Sequence, residues 1–467
     1  MKTQSAKLLA PAGGPEAGYA AFRYGADAVY CGLRDFSARA EAVNFSPDEL
    51  RELASHAHAR PRRGEVFVTL NTLMAEAEIP AFADAICTAA ECGADALIVQ
   101  DLGVARLARA IAPDLPLHAS TQMAIHNLEG ALAARRWGFS QITLARELTF
   151  DEIRAIAAAG VPVEVFIHGA LCYSYSGLCL MSAMRNGRSG NRGRCAQPCR
   201  DRYAPADAAE GGGGLAFSMK DLALGEAARD LAAMGVACLK IEGRMKSPLY
   251  VAAVTDYYRR ILDGAFRSEH EVRAAEEDLQ TIFSRKWTRL HSATTQHAGV
   301  IDPEATGHRG ARIGEVDAVA SRPDGPRWLR FRTSRALQLH DGIQIDLPGQ
   351  DRPYGFSIAA FEAAPGRRGP VFECPAGAWA AVPLPPDAPR LPAGAAVYCA
   401  SSQAVKQHFD TTLPPQAERK PRLPLDLVLE VRADALRLRA RSGGLSAEAA
   451  TADTYSPARN PESNAAS

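Results

Sequence analysis

Short apolar runs alternate with alanine-rich amphipathic segments from Lys7 to Ile241, and this rhythm constrains the fold more than any other feature of the chain. Each run has the length of one buried strand and each intervening segment the length of a helix, which is the pattern of repeated βα units. Eight runs occur, namely Leu8–Ala10, Ala28–Cys31, Val66–Leu70, Ala96–Val99, Leu117–Ser120, Ile142–Ala145, Val163–Ile167 and Cys238–Ile241. They predict an α/β fold of the (β/α)8, TIM-barrel type.

A doubly wound open sheet is the competing interpretation, and it would require a glycine-rich dinucleotide turn after the first strand. The segment from Leu8 to Pro15 contains two glycines but lacks the required spacing, and its two prolines offer no N–H groups to a phosphate. The barrel is therefore favoured. The helical segments expected between its strands include Pro15–Tyr24, Ile79–Cys92, Leu128–Trp137, Phe150–Ala159 and Gly225–Met234.

The length of 467 residues predicts more than one domain. The βα rhythm stops after Gly264, and alternating strands with glycine turns follow a last helix. We expect a barrel over residues 1–265, with a cysteine-rich loop at 168–203, and a helical connection over 266–300. A small antiparallel β domain is expected over 301–442, and a disordered tail without hydrophobic periodicity over 443–467.

Composition points to a cytoplasmic protein that does not enter a membrane. Apolar residues make up 47% of the chain, and Lys plus Arg equals Asp plus Glu at 53 each, so no global basic field indicates nucleic acid. Neither a signal peptide nor an apolar stretch of about 18 residues is apparent. In reducing cytosol, ten cysteines do not predict disulfides, and clustered cysteines suggest a metal site.

Four of these cysteines fall within 28 residues, at Cys172, Cys179, Cys195 and Cys199. Thiolates suit zinc and iron–sulfur clusters, and four are the usual complement of either. The Cys-x2-Cys knuckles of a zinc ribbon are absent, so the spacing favours a cluster, with zinc or unligated thiols as alternatives. Cys238 is a reserve ligand should Cys199 point away, although filling of the core is its more ordinary role.

Polar residues stand where the predicted barrel strands end, which is the face that carries the chemistry of such barrels. Any one of them could be a helix cap or a solvated group, but their accumulation at one face predicts a site. They are Asn71, Gln100, Asp101, His118, Ser120, Gln122, Arg146, Glu147, His168, Glu242, Arg244 and Lys246. Asn71, His118 and Gln122 are our candidates for substrate binding.

The cysteine-rich loop contains six arginines in a stretch of eighteen residues, from Arg185 to Arg202. Guanidinium groups recognise phosphate bidentately and stack on bases, so Arg188, Arg192 and Arg194 are our candidates for contacts to phosphate. A solvated loop balanced by acids elsewhere is the competing interpretation.

Several motifs in this region resemble the U32 peptidase family. The resemblance rests on the segments Glu164–Ser182, Asn191–Arg200, Leu8–Gly13, Asp35–Arg39 and Leu239–Ser247. The β region resembles longer members related to the 23S ribosomal RNA cytidine hydroxylase. The sequence departs from the family pattern at Tyr173, Cys31 and Cys238. None of these departures alters the four cysteine positions. The resemblance covers residues 7 to about 265.

The resemblance implies two conflicting functions. One is peptidase activity of the collagenase type, with no assigned mechanism. The other is oxygen-independent, iron–sulfur-dependent hydroxylation, with a [4Fe-4S] cluster as cofactor, RNA as partner and prephenate as co-substrate in the RNA case. A His168–Cys172 pair would be the best site for a thiol peptidase. It leaves the other three thiols without a role, so we expect an RNA pyrimidine hydroxylase.

In that interpretation, His168 and Glu242 transfer protons or position the substrate. The electron donor cannot be named from the sequence. A third hypothesis is a non-catalytic scaffold that is stabilised by the cluster and binds RNA or a partner protein through the β domain.

Overall fold

The structure is a computed structural model that describes residues 6–176, 178–207, 213–290, 292, 299–321, 325–347, 350, 352–362, 371–419, 425–432, 434–442 and 445–451. The chain forms two compact units, residues 1–414 and residues 415–467. None of the described helices is long and apolar enough to cross a membrane.

The first part of the larger unit is the predicted barrel. Its strands are β1 (Lys7–Pro11), β2 (Ala28–Gly32), β3 (Glu65–Leu70), β4 (Ala96–Val99), β5 (Leu117–Ala119), β6 (Phe139–Thr143), β7 (Val163–Ala170), β8 (Asp221–Ala223) and β9 (Cys238–Ile241). All except β8 run parallel in the order β1 to β7 followed by β9. Leu239 of β9 pairs with both Leu8 and Val165, which closes the barrel and confirms the predicted fold class.

Helices connect the strands, and their ends agree with the predicted segments to within one or two residues. They are α1 (Pro15–Arg23), α2 (Pro47–Ala59), α3 (Ile79–Glu91), α4 (Leu102–Ile111), α5 (Leu128–Arg136), α6 (Phe150–Ala158), α7 (Met181–Asn186), α8 (Ala227–Ala233), α9 (Pro248–Asp263) and α10 (Glu269–Ile282). Capping boxes at Ser46 and Thr149 fix the starts of α2 and α6 by satisfying backbone N–H groups of the first turn.

Two short strands beside the barrel were not predicted. Strand β8 runs antiparallel to the end of β7, with His168 opposite Ala223, and a short strand β10 (Trp287–Thr288) adds to its other side. Three and two residues are too few to show a hydrophobic period, so the sequence carried no signal for either strand.

The barrel interior is built in layers by the alternation of side chains along each strand. A lower layer is mainly apolar and contains Leu9, Ala28, Phe67, Ala96 and Cys238, all of them buried. The opposite side of the same strands packs against the helices in the main hydrophobic core. The polar interior residues are therefore exceptions that require an explanation of their own.

An antiparallel region follows the barrel within the same unit. Its elements are β11 (Ala311–Ala320), β12 (Trp328–Arg332), β13 (Leu337–Gln338), β14 (Gly342–Ile345), β15 (Tyr354–Ser357), β16 (Glu373–Cys374), β17 (Trp379–Pro383), β18 (Ala396–Ser401) and α11 (Gln403–His408). Six strands form one sheet in the order β15-β14-β18-β11-β12-β17, while β13 pairs with β16. A separate hydrophobic cluster fills this region.

The second unit contains α12 (Gln416–Arg419) and the antiparallel strands β19 (Asp426–Val431), β20 (Leu436–Ser442) and β21 (Leu445–Thr451). The expected tail of residues 443–467 thus includes a strand at Leu445–Thr451. Residues 443–444 and 452–467 of that tail lie outside the described residues.

Candidate active site at the barrel mouth

The upper layer of the barrel is polar. Asn71, Gln100 and Ser120 directly follow β3, β4 and β5, and Glu242 follows β9. Each continues the inward alternation of its strand, because Phe67, Ala96 and Cys238 lie in the interior layer below. The predicted convergence of polar residues at this face is therefore present for these strands.

Glu242 is the centre of the hydrogen bonding at the mouth. Its carboxylate accepts hydrogen bonds from Arg39 Nη2 at 3.0 Å and from the Tyr30 hydroxyl at 3.2 Å. Burial alone would raise the pKa of this carboxyl, but the guanidinium groups of Arg39, Arg244 and Arg146 lower it below its ordinary value. Glu242 is thus held as a carboxylate, able to position a polar substrate or to accept a proton.

Arg244 is buried beside this pair. Its Nη1 donates to Ser37 Oγ at 2.5 Å and to Thr69 Oγ1 at 2.8 Å, which ties the loop after β9 to β2 and β3. Burial lowers the pKa of the guanidinium, and the charges of Tyr30 and Glu242 only partly offset this effect. Arg39 and Arg244 together make the mouth positive around a single carboxylate.

An ion pair lies one layer deeper, where Lys240 Nζ is 2.7 Å from Glu164 Oε1. Glu164 is fully buried and also accepts hydrogen bonds from Gln141 Nε2 at 2.7 Å and Thr143 Oγ1 at 2.8 Å. The Lys240 ammonium lies over the face of the Tyr30 ring, 4.3 Å from its centre, and the hydroxyl of the same ring bonds Glu242. The interior charges therefore support the mouth from beneath.

The three predicted substrate-binding residues lie in one sector of the mouth, and two of them are incompletely satisfied. Asn71 Oδ1 accepts from the Ala38 N–H at 3.0 Å, and its amide nitrogen is 3.4 Å from Ser120 Oγ. Within the described residues, His118 Nδ1 and Gln122 Oε1 are buried without a hydrogen-bond partner. Burial lowers the pKa of His118 to about 4, so its ring is neutral at pH 7.

The cysteine-rich loop after β7 is fastened over this mouth. The Asn191 carbonyl accepts from the Leu73 N–H at 3.0 Å, and Arg200 Nη2 donates to the Leu171 carbonyl at 3.1 Å. Gly193 has a φ of +74°, and a side chain there would put Cβ 2.2 Å from the Ser37 carbonyl oxygen. Only glycine permits this approach, which presses the loop against the segment that carries Arg39.

The four predicted ligand thiols belong to this loop. Cys172 and Cys195 are exposed, whereas Cys179 and Cys199 are partly buried. Burial raises the pKa of the Cys199 thiol, and the charges of Cys172, Cys195 and Cys179 raise it further, so the other three thiols lie within electrostatic range of Cys199. The donor set is the one that a four-iron cluster uses.

Among the described residues, no three His, Cys, Asp or Glu side chains are placed to hold one ion. Zinc requires its sulfur ligands to converge at about 2.3 Å from one point, whereas a cluster binds one thiolate at each of four separated irons. The four thiols match either group by chemical type, and the cluster stays a prediction.

Most arginines of the loop have intramolecular partners. Arg188 pairs with Glu41 and Arg192 with Glu78, and Arg192 Nη1 also donates to the Leu73 carbonyl at 3.0 Å. These contacts fasten the loop and compete with the predicted phosphate contacts. In the part of the chain that the structure describes, the exposed Arg194 side chain has no such partner.

His168 lies outside the open mouth. It is 3% exposed, its Nδ1 is 3.2 Å from the Tyr258 hydroxyl, and the Tyr250 and Trp287 rings enclose it. Burial lowers the pKa of its imidazole to about 4. The register of β7 against β9 shifts between Phe166 and His168, which explains why the inward alternation does not continue to it.

Cys238 does not serve as the reserve ligand. It is fully buried in the lower layer of the barrel and pairs with Glu164 at the start of β7. From Glu164 to Ala170 the strand advances six residues, or roughly 20 Å at about 3.3 Å per residue, before Cys172 is reached. The other strand cysteine, Cys31, is likewise buried in the core.

Lys246 lies behind the mouth, in a layer that β8 contributes. Asp221 of β8 forms an ion pair with Arg285 at 3.0 Å, and Lys246 packs on the Phe283 ring. Burial and the charge of Arg285 lower the pKa of Lys246 to about 7. This amine could exchange a proton near neutral pH.

Sequence reasoning missed Arg39 and Tyr30 as site residues. Both follow from the structure because they contact Glu242, and both belong to β2 and its loop. Tyr30 lies in a strand that reads as a plain apolar run, so nothing marked its hydroxyl. Arg39 ends one of the matching motifs and could have been found from it.

Known proteins match the part of the chain that forms the barrel. A family model described as peptidase family U32 matches residues 13–301. A 23S rRNA 5-hydroxycytidine C2501 synthase from Escherichia coli is 38% identical over 350 residues, covering 71% of this chain and 49% of that protein. This chain therefore spans about half the length of that relative.

Two further relatives have different names. A tRNA hydroxylation protein P from Helicobacter pylori is 36% identical over 298 residues, covering 60% of this chain and 70% of that protein. A collagenase from Porphyromonas gingivalis is 31% identical over 306 residues, covering 61% of this chain and 73% of that protein. The names alone leave two activities open.

Proposed function

We propose that this chain, which belongs to peptidase family U32, is an enzyme that hydroxylates a pyrimidine base in RNA without molecular oxygen, using an iron–sulfur cluster. Ribosomal or transfer RNA is the proposed substrate, since relatives named for both are 38% and 36% identical to it. The proposed place of action is the cytoplasm, where such RNA is used.

One observation carries the proposal. The four-cysteine loop is fastened against the segment that carries Arg39, and Arg39 bonds the carboxylate of Glu242 at the centre of the mouth. The charge of Glu242 raises the pKa of Arg39 most, and the charge of Cys172 also raises it, so the Cys172 thiol lies within electrostatic range of this guanidinium. A thiol of the predicted cluster set beside the polar barrel mouth supports redox chemistry there.

Cys172, Cys179, Cys195 and Cys199 would hold a [4Fe-4S] cluster. When bound, the cluster would supply transfer of single electrons next to the substrate. Around it, Arg39 and Tyr30 fix the orientation of Glu242, and Arg244 keeps the floor of the mouth positive. Glu242 as a carboxylate can accept a proton or a hydrogen bond from the base.

We propose that prephenate binds at this mouth as a co-substrate, because its two carboxylates complement the arginines that surround Glu242. Arg39, Arg146 and Arg244 provide three guanidinium groups against one carboxylate there. The exposed Arg194 is the proposed contact to an RNA phosphate.

The peptidase alternative finds less support in the site. Among the described contacts, no hydrogen bond joins His168 to Cys172, and the ring of His168 is enclosed by aromatic side chains. A thiol nucleophile needs a base within hydrogen-bond reach, and none of the described residues supplies it to Cys172 in this arrangement.

The test is mass spectrometry of nucleosides from ribosomal and transfer RNA of parent and deletion cells. We expect a hydroxylated pyrimidine that disappears on deletion, returns with the wild-type gene, and does not return with Cys172→Ala. Identical nucleoside profiles in parent and deletion cells would refute the proposal. Collagen-peptide cleavage retained in Cys172→Ala without iron would point to a metal-dependent peptidase instead.

A further inference from the structure

Resting on the function proposed above, we infer that an aromatic surface on the cysteine-rich loop stacks unpaired nucleotides beside the target base, so that the RNA substrate is single-stranded there. The surface consists of the rings of Tyr173, Phe217 and Tyr203, and the guanidinium of Arg185 extends it. We call these four groups the aromatic ladder. None of them has a part in the chemistry proposed for the barrel mouth.

Direct contacts fix the order of the groups in the aromatic ladder. The ring centres of Tyr173 and Phe217 are 4.9 Å apart and those of Phe217 and Tyr203 are 5.1 Å apart, both in edge-to-face arrangements. The Arg185 guanidinium lies over the Tyr203 ring, 5.0 Å from its centre. Because each group contacts the next, the four form one continuous surface.

Hydrogen bonds hold the aromatic ladder beside the predicted cluster ligands. The Tyr203 N–H donates to the Gly214 carbonyl at 2.9 Å, and the Gly214 N–H donates to the Tyr203 carbonyl at 2.8 Å, which brings Phe217 next to Tyr203. The Tyr203 hydroxyl donates to the Pro198 carbonyl at 2.7 Å. Pro198 and Tyr173 each adjoin one of the four cysteines in the sequence. The ladder is therefore positioned by the same loop that carries the thiols.

The aromatic ladder is open to solvent at Tyr173, which is 50% exposed although it packs on Phe217. Leu178, Leu180 and Met184 of the same loop are exposed as well. Clustered apolar side chains at a surface mark a place where another molecule binds. A ligand with flat apolar faces, such as a nucleobase, fits a half-exposed ring.

The charge of the loop matches RNA. Between residues 180 and 204 there are six arginines and one acidic residue, Asp201. Two of the arginines pair with glutamates elsewhere in the chain, whereas Arg185 and Arg194 have no acidic partner among the described residues. Bases stack on aromatic rings and on guanidinium planes, and phosphates pair with guanidinium groups. The combination of exposed rings and unpaired arginines therefore favours RNA over a protein surface.

A duplex cannot use the aromatic ladder. Its bases are stacked inside the helix, whereas unpaired bases present their faces to aromatic side chains. The duplex also carries the denser phosphate charge, so arginines alone would prefer it. A preference for single-stranded RNA therefore reports stacking rather than charge.

The experiment measures the fluorescence anisotropy of a labelled RNA of about twelve nucleotides, single-stranded or annealed to its complement, with the anaerobically purified whole chain. Wild type should bind the single strand at least about fivefold more tightly than the duplex. Tyr173→Leu removes the ring but keeps an apolar side chain, and it should weaken single-strand binding about fivefold or more. Tyr173→Phe keeps the ring and should bind as wild type does.

Trp137→Leu is the matched control and should leave both affinities unchanged. Trp137 is an exposed ring at the C-terminal end of α5, at the opposite end of the barrel from the mouth. Melting curves show whether each variant is folded. The comparison of the two RNAs on wild-type protein tests the inference even if a variant unfolds.

A wild type that prefers the duplex, or a folded Tyr173→Leu protein that binds the single strand as tightly as wild type, would overturn the inference while leaving RNA as the proposed substrate. Binding of neither RNA would overturn the inference in favour of a protein partner at this surface, and it would contradict the proposed function as well. Because the assay follows binding alone, unchanged nucleosides in deletion cells together with Tyr173-dependent binding would refute the hydroxylation and leave the stacking surface established.

Discussion

Replacing Lys240 with methionine removes the cation that neutralises Glu164 inside the barrel, while keeping most of the side-chain volume. The two groups are 2.7 Å apart, and Glu164 is fully buried. Gln141 and Thr143 still donate to the carboxylate after the change. They supply hydrogen bonds but no charge, so the variant retains an uncompensated anion in the core.

Breaking a buried pair by removing one partner typically costs about 3–5 kcal/mol, far more than the pair itself contributes. For a large domain, about 2 °C of melting temperature corresponds to 1 kcal/mol. We therefore expect Lys240→Met to melt roughly 6–10 °C below the wild type at pH 7.5. Glu164→Gln combined with Lys240→Met should recover most of this loss, because the double variant has no buried charge.

The pH dependence of the stability loss in Lys240→Met provides an independent test. In the wild type, burial raises the pKa of Glu164, but Lys240 outweighs it and holds the pKa below its ordinary value. Without Lys240 the folded pKa rises above the unfolded one, so the variant's penalty is full above that raised pKa and shrinks as the pH falls through it. The difference in melting temperature should narrow between pH 8 and pH 5.

Differential scanning calorimetry at one scan rate measures these differences. Lys7→Met is the matched control, since Lys7 is 40% exposed and its partner Glu65 is 25% exposed, so their pair is open to solvent. A Lys240→Met protein that melts no lower than Lys7→Met would contradict the account of the barrel interior. A double variant as unstable as the single one would attribute the loss to packing rather than charge.

Three further outcomes are expected. Arg194→Ala should weaken RNA binding in a filter assay and reduce the slope of log affinity against log salt by about one, whereas Arg192→Ala, already paired with Glu78, should leave the slope unchanged. Burial lowers the pKa of His168 to about 4, so the unfolded state binds the extra proton, and this residue should reduce stability in urea by up to ~3 kcal/mol as the pH decreases from 6.5 to 4. His118, whose pKa is lowered to about 4 in the same way, should contribute comparably, so His168→Phe should remove about half of the slope, and an unchanged slope would argue against the buried neutral ring. Arg39→Leu should lower hydroxylation roughly tenfold or more while Arg312→Leu, an exposed arginine of β11, should not, because only Arg39 orients Glu242.

The barrel could be predicted because the sequence contains consecutive apolar runs, and each run forms one parallel strand. Side-chain alternation then placed Asn71, Gln100 and Glu242 correctly at the mouth. The sequence predicted His168 at the mouth, but it lies outside the open mouth, because a register shift in β7 and the unpredicted strand β8 enclose its ring. Neither feature has a local sequence signal.

The ion-pair partners of the arginines were also beyond prediction from the sequence. Six arginines in one loop suggested a phosphate surface, yet Arg188 and Arg192 pair with Glu41 and Glu78, which lie more than a hundred residues away in the sequence. Long-range pairing cannot be inferred from local composition. Cys238 was correctly predicted at the start of a strand, but its distance from the cysteine-rich loop follows from its pairing with Glu164 of β7, which local composition does not show.

The central claim is that the loop after β7 holds a four-iron cluster over the barrel mouth. Iron and acid-labile sulfide in anaerobically purified protein, with the electron paramagnetic resonance spectrum of the reduced sample, test it most directly. We expect about four of each per chain, a loss of both on changing Cys172, Cys179, Cys195 or Cys199 to alanine, and full retention in Cys238→Ala. Wild-type protein without iron, or a Cys238→Ala variant that loses the cluster while Cys199→Ala keeps it, would contradict the account.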